Sequence, residues 1–85
     1  MNVFIPQPLI SYTGDRCVTA TGNNVDDVLR DLDKQFTGIR FRIVNEQNQI
    51  RPHVRIFVDG EQEFSLLRKL LGEEELVIVQ ALSGG

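Results

Sequence analysis

At 85 residues the chain supports one domain with a single modest core. Its 41% hydrophobic content argues against disorder, and a net charge of −3 does not suit a nucleic-acid binder, which normally carries a basic stripe. Cys17 is the only cysteine, so an internal disulfide is excluded and a reducing compartment fits. Pro6 and Pro8 interrupt the first apolar stretch, so no leader is read there, and no apolar run approaches membrane-spanning length. The cytoplasm is the expected location. Neither nucleic acid nor membrane is expected as a partner, whereas a mildly acidic chain suits a basic surface on another protein.

Residues 2–5 alternate polar and apolar, as in a half-buried strand that the two prolines end early or confine to an edge. Thr13-Gly14-Asp15 signals a turn, and residues 16–21 are rich in β-formers, so a hairpin is expected. Asn24 is placed to cap a helix, with Asp26 and Asp27 in its first turn, where negative charge suits the helix dipole. Val25, Val28, Leu29, Leu32 and Phe36 form one apolar stripe, and Asp26, Arg30, Asp33 and Lys34 fall on the wet face. Gly38 is the candidate C-cap.

Residues 39–50 fit either an alternating strand or a short helix, followed by a loop over 45–49. Residues 54–58 read as a strand, and Asp59-Gly60 as a hairpin turn. Leu66, Leu67, Leu70 and Leu71 recur at helical spacing and predict a short helical turn. Residues 72–74 turn the chain again, and residues 76–82 form the last strand. The order predicts an α+β domain, one mixed sheet packed on one main helix, with a parallel pairing permitted at its centre by the helix between the second and third strands. Residues 1–82 are expected to form the folded body and residues 83–85 a flexible tail.

Strand alternation assigns faces. With Val54, Ile56, Val58, Leu76 and Ile78 inward, Phe57, Val77 and Val79 point outward and form an apolar patch leading toward the tail. Cys17 is expected as a small, partly buried apolar residue rather than a sulfur relay. His53 has no visible catalytic partner and reads as structural. Glu73, Glu74 and Glu75 read as a solvated turn, and Arg40, Arg42, Arg51 and Arg55 as solvated surface. The last residues, Ser83-Gly84-Gly85, follow the final strand closely. Glycine lacks a Cβ, so two in a row make a thin, pliable thread, and the Gly85 carboxylate itself becomes the candidate working group.

Several segments together carry a family resemblance. They are Pro8-Leu9 with Tyr12-Thr13-Gly14, and Val25-x-x-Val28-Leu29-x-x-Leu32 on the helix. The run Arg51-Pro52-His53-Val54-Arg55-Ile56-Phe57-Val58-Asp59-Gly60-Glu61 follows, and Val77-Ile78-Val79-Gln80-Ala81-Leu82-Ser83-Gly84-Gly85 closes the chain. With the element order, these resemble the MoaD/ThiS-like family of ubiquitin-fold sulfur carriers. Two positions depart from its usual pattern. Gly72-Glu73-Glu74-Glu75 stands where an acidic-Gly-Asp turn is common, and Gln80-Ala81-Leu82-Ser83 where many members read Pro-Ala-Val-Ala. They leave the subfamily, and hence the pathway, open.

The resemblance implies a β-grasp fold and a protein that is not itself an enzyme. It implies that an adenylating enzyme related to ubiquitin activators uses ATP to convert Gly85 to an acyl-adenylate. Sulfur from a persulfide or sulfide then gives a C-terminal thiocarboxylate that donates to a biosynthetic acceptor enzyme. Gly84 supplies the pliability that lets the terminus enter that partner's site. Leu82 and Ser83 join Phe57, Val77 and Val79 as partner-binding positions. No bound cofactor or metal is implied; ATP and the sulfur source belong to the activating partner, and a processing metalloprotease is a further possible partner. Molybdopterin and cysteine-type pathways fit the length better than the thiazole type. A stably bound molybdopterin-synthase-type small subunit, a modifier conjugated through Gly85 and an inert adaptor are the alternatives.

Overall fold

The Asn24 side chain accepts from the Asp27 amide at 2.7 Å and starts α2 (Val25–Gln35), as its position predicts. Val25, Val28, Leu29 and Leu32 are fully buried, so the apolar stripe is the face that meets the sheet. The computed structural model describes residues 1–81. Its strands are β1 (Asn2–Phe4), β2 (Cys17–Thr19), β3 (Val54–Val58), β4 (Glu61–Glu63) and β5 (Leu76–Gln80), and its other α-helices are α1 (Ile10–Thr13) and α3 (Ile39–Ile43).

The five strands form one sheet in the order β2-β1-β5-β3-β4. β1 and β2 are antiparallel, as are β3 and β4, and β5 lies between the hairpins, parallel to β1 and antiparallel to β3. The parallel pairing is central, as expected, but it joins the first and last strands rather than the second and third. Val3, Val54, Ile56, Val58, Leu76 and Ile78 point inward and are buried beneath α2, with Leu9, Ile39, Ile43 and Val44 closing the core. The architecture is the β-grasp fold, a mixed sheet holding one main helix.

Local interactions explain where the sequence expectation and the structure part. The Phe36 amide bonds to the Leu32 carbonyl and ends α2 at Gln35, before Gly38. Gly38, at φ 97°, instead opens α3, where its amide and that of Arg40 both donate to Asp33 Oδ1 at 3.1 Å. Asp33 is therefore a cap for the next helix, not merely part of a wet face. The ambiguous stretch after Gly38 resolves as helix, because Ile39 and Ile43 at i,i+4 are both fully buried.

The leucine run at 66–71 closes one turn, with the Arg68 amide on the Ser65 carbonyl at 3.4 Å, and does not continue as a helix. Those residues cross the N-terminus of α2 and give it their carbonyls: the Val25 amide donates to Arg68 at 3.0 Å and the Asp26 amide to Leu66 at 2.9 Å. With the Asn24 cap, three otherwise orphaned helix amides are satisfied. Leu70 is buried, whereas Leu67 and Leu71 face solvent. Glu74 is likewise structural: its carboxylate gathers the amides of Leu71, Gly72 and Glu73.

Two further positions set the frame. Asp59 (φ 49°) and Gly60 (φ 85°) both have positive φ, the signature of the tight hairpin turn their sequence predicts. The Asp59 carboxylate also accepts from the Glu75 amide at 2.8 Å, which joins this turn to the start of β5. Gly22 approaches α2 so closely that a Cβ there would lie 2.6 Å from Asp27 Cβ and from the Val28 amide nitrogen.

Candidate functional site

The outward positions of the sheet line up across strands. In register, Phe4 pairs with Val77 and Val77 with Phe57, so one row runs across β1, β5 and β3; Val79 follows on β5 opposite Arg55. Phe57 and Val77 are half-buried and Val79 is 42% exposed. Alternation places Phe57, Val77 and Val79 as the sequence predicts, and the structure brings them onto one open face.

Phe4 joins this face although the sequence reading does not single it out. Alternation between the buried Val3 and Ile5 sends it outward, but only the β1–β5 pairing sets it beside Val77. Beside this row is a groove of about 500 Å³ whose lining includes Pro6, Pro8, Arg16, Glu75, Val77 and Val79. Its apolar floor and its one cation and one anion suit a protein surface more than a small charged substrate.

β5 leads out of this patch. The Ala81 amide donates to the His53 carbonyl at 2.8 Å, so the pairing with β3 continues one residue past the strand. That bond is the structural part His53 plays; its side chain is exposed. The Gln80 Oε1 atom is buried without a hydrogen-bond partner among the described residues, an uncompensated acceptor next to the point where the chain leaves the sheet. Leu82, Ser83, Gly84 and Gly85, the remaining candidate positions, lie outside the described residues.

Cys17 differs from expectation: it is exposed, because β2 is an edge strand and the cysteine sits on the outer face opposite Phe4. The arginines also divide. Arg40 is partly buried and its guanidinium reaches Asp26 at 2.6 Å, while Arg51 and Arg55 donate to the carbonyls of Phe41 and Pro52 at 2.8 and 2.7 Å. Burial pushes the Asp26 carboxyl up, yet the hydrogen bonds from Arg40 and Arg30 outweigh it and hold the group below the usual carboxylate range. Asp26 thereby ties α2 to α3 and supports the helical side of the body.

A β-grasp body of this strand order, with an apolar outer row through its last strand, has the ubiquitin fold. The chain is similar over 99% of its length to 98% of a chain in the Amycolatopsis orientalis BexX/CysO complex, at 27% identity and a TM-score of 0.89. It matches Mycobacterium tuberculosis CysO at 25% identity and a TM-score of 0.88, covering 95% of this chain and 98% of that one. SAMP1 from Haloferax volcanii shares the fold at 23% identity and a TM-score of 0.80, covering 100% of this chain and 98% of that one. No protein-family profile matches the chain, and no curated protein sequence does. The resemblance to MoaD/ThiS-like ubiquitin-fold carriers read from the sequence is thus met along almost the whole chain.

Proposed function

We propose that this protein is a sulfur carrier whose Gly85 carboxylate is the reacting group. The observation that carries the reading is the outward row Phe4–Val77–Phe57, continued by Val79 along the strand that leads to the terminal residues, in a body similar to Mycobacterium tuberculosis CysO. An adenylating enzyme grips this row. Four residues follow Ala81, and fully extended they span at most about 14 Å, enough to enter a partner's active site while the body stays outside.

The chemistry needs the partner and ATP. A carboxylate is a poor electrophile until a leaving group is attached. A Gly85 carboxylate oxygen attacks the α-phosphorus of ATP and pyrophosphate leaves. Hydrosulfide then attacks the acyl carbon, the C–O bond to AMP breaks, and a thiocarboxylate remains. With a persulfide donor, a thiol reductant completes the transfer by opening the resulting acyl disulfide. A thiocarboxylate is ionised at neutral pH and its sulfur is polarisable, the property that makes thiolates nucleophilic. The product donates sulfide to a biosynthetic acceptor enzyme.

Intact-mass measurement tests this. The protein is incubated with its host's adenylating enzyme, ATP and sulfide. The expected product is heavier by the replacement of one oxygen with sulfur, and a chain lacking Gly85 gains nothing. An unchanged mass beside an active control carrier overturns the reading. Recovery of the chain joined to lysines of other proteins, with no thiocarboxylate, assigns it to the modifiers instead.

A further inference from the structure

A second groove, of about 920 Å³, lies at the β3–β4 end of the sheet between the loop at 45–52 and the segment that follows β4. Phe64 and Leu67 line it and are 79% and 76% exposed, so neither contributes to the core. Large apolar side chains this open, lining one groove, form a surface that folding alone does not require.

The charges of the groove are unevenly matched. Of its carboxylates, Asp26 is taken by Arg30 and Arg40, and Glu63 by Arg68 and the amides of Phe64 and Ser65. Arg51 and Arg55 also line the groove and have no carboxylate partner among the described residues. Both are nevertheless held in place. Arg51 Nε donates to the Phe41 carbonyl with its guanidinium 4.6 Å from the Phe41 ring centroid, and Arg55 donates to the Pro52 carbonyl. Each keeps most of its five donors, in the fork geometry that fits a carboxylate. A chain of net charge −3 therefore carries two positioned cations beside two exposed apolar side chains.

We propose that this groove docks a segment of a partner protein in which carboxylate side chains flank a large apolar one. The carboxylates pair with Arg51 and Arg55, and the apolar side chain covers Phe64 and Leu67. The site does not depend on the sulfur-carrier reading, because it uses neither the Phe4–Val77–Phe57 row nor Gly85, although Arg55 stands on the outer sheet face opposite Val79.

The test is a titration of the ¹⁵N-labelled full chain with the synthetic peptide acetyl-Glu-Glu-Leu-Phe-Glu-Glu-amide, followed by amide chemical shifts. Saturable shifts are expected at residues 51–55 and 62–67. The R51Q/R55Q and F64S/L67S variants, each checked for native amide dispersion, are expected to bind about ten-fold more weakly, the loss of one or two charge-assisted or apolar contacts. The exposed Phe64 and Leu67 pair keeps the test decisive if the arginine variant fails to fold. The proposal is overturned by absence of saturable shifts at millimolar peptide, by shifts confined to the Phe57–Val77 face, or by undiminished binding to F64S/L67S. It is equally overturned if a peptide with lysine for glutamate binds as well. Matching shifts from glutamate or inorganic phosphate alone, at equal affinity, assign a simple anion site and also overturn it.

Discussion

Phe57 and Val77 face one another across β3 and β5 on the outer side of the sheet, while their neighbours Ile56 and Ile78 pair on the inner side beneath α2. One register therefore builds the core and the outer apolar patch together. A slip of one residue would exchange them.

That relationship predicts how patch substitutions behave. Phe57→Ala and Val79→Asp remove apolar surface that the body itself leaves half-buried or open, so the fold should survive with a small change in melting temperature. Activation should suffer more, by about ten-fold or greater in apparent affinity for the adenylating enzyme, as for a central interface residue. Pyrophosphate release at varied carrier concentration measures it. Activation of both variants at wild-type concentration dependence removes the patch from the mechanism.

Gly22→Ala should destabilise the protein although Gly22 has no unusual backbone angle. The added carbon would stand 2.6 Å from Asp27 Cβ and the Val28 amide nitrogen, and backbone must shift to admit it. Overpacking of this kind costs about 1–3 kcal/mol. Thermal unfolding followed by circular dichroism should show a lower midpoint than for Gly14→Ala relative to its own local cost, since a Cβ at Gly14 meets no atom within 4 Å and the penalty there comes from φ 76°.

Asp26→Asn should loosen the link between α2 and α3. The carboxylate accepts from Arg40 at 2.6 Å and from Arg30 at 2.8 Å, and only Arg40 is substantially shielded from water. A loss of about 1–3 kcal/mol is expected from the Arg40 contact. Arg30→Ala, an exposed i,i+4 partner, should cost under about 0.5 kcal/mol. Urea unfolding of the two variants orders them; an equal effect would show that the Arg40 contact contributes nothing special.

Acid should destabilise the fold through three carboxylates held below their ordinary values. Asp26 is held there by its arginines against the upward push of burial. Glu63 is held there first by the Ser65 amide and then by Arg68, and Glu74 by the Leu71 amide and its neighbours. A folded-state value below the unfolded one means that the unfolded chain binds protons first as pH falls. The stabilisation is present above the unfolded carboxylate range near 4 and is lost as pH drops through the lower folded values. The melting temperature should be level above about pH 5 and fall below it. Glu74→Ala should lower the melting temperature at pH 7 and weaken the dependence below pH 5. A variant with an unchanged acid profile would remove Glu74 from this account.

Much of the fold is legible in the amino-acid sequence. The Asn24 cap, the α2 stripe, the β3 strand and the Asp59-Gly60 turn depend on neighbours within a few residues, and their spacing announces them. The faces of Phe57, Val77 and Val79 follow from the two-residue period of a strand. The leucines at 66–71 mislead because their spacing matches a helix while carbonyls of that segment are used by another element, the amides of Val25 and Asp26. Cys17 lies nearer the surface than its strand pattern suggests, because alternation tells the sides of a strand but not whether the strand is at an edge.

By itself, then, the sequence determined the local elements, the inward and outward faces, and the Gly-Gly that follows the last strand, since each is a matter of short-range spacing and residue type. Only the tertiary structure decided which strands are neighbours. Inserting β5 between β1 and β3 joins residues as distant along the chain as Val3 and Leu76 and sets Phe4 beside Val77, and the packing of the loops around β3 and β4 brings the exposed Phe64 and Leu67 into one groove with Arg51 and Arg55. No local pattern encodes such neighbours; burial of the common core beneath α2 selects them.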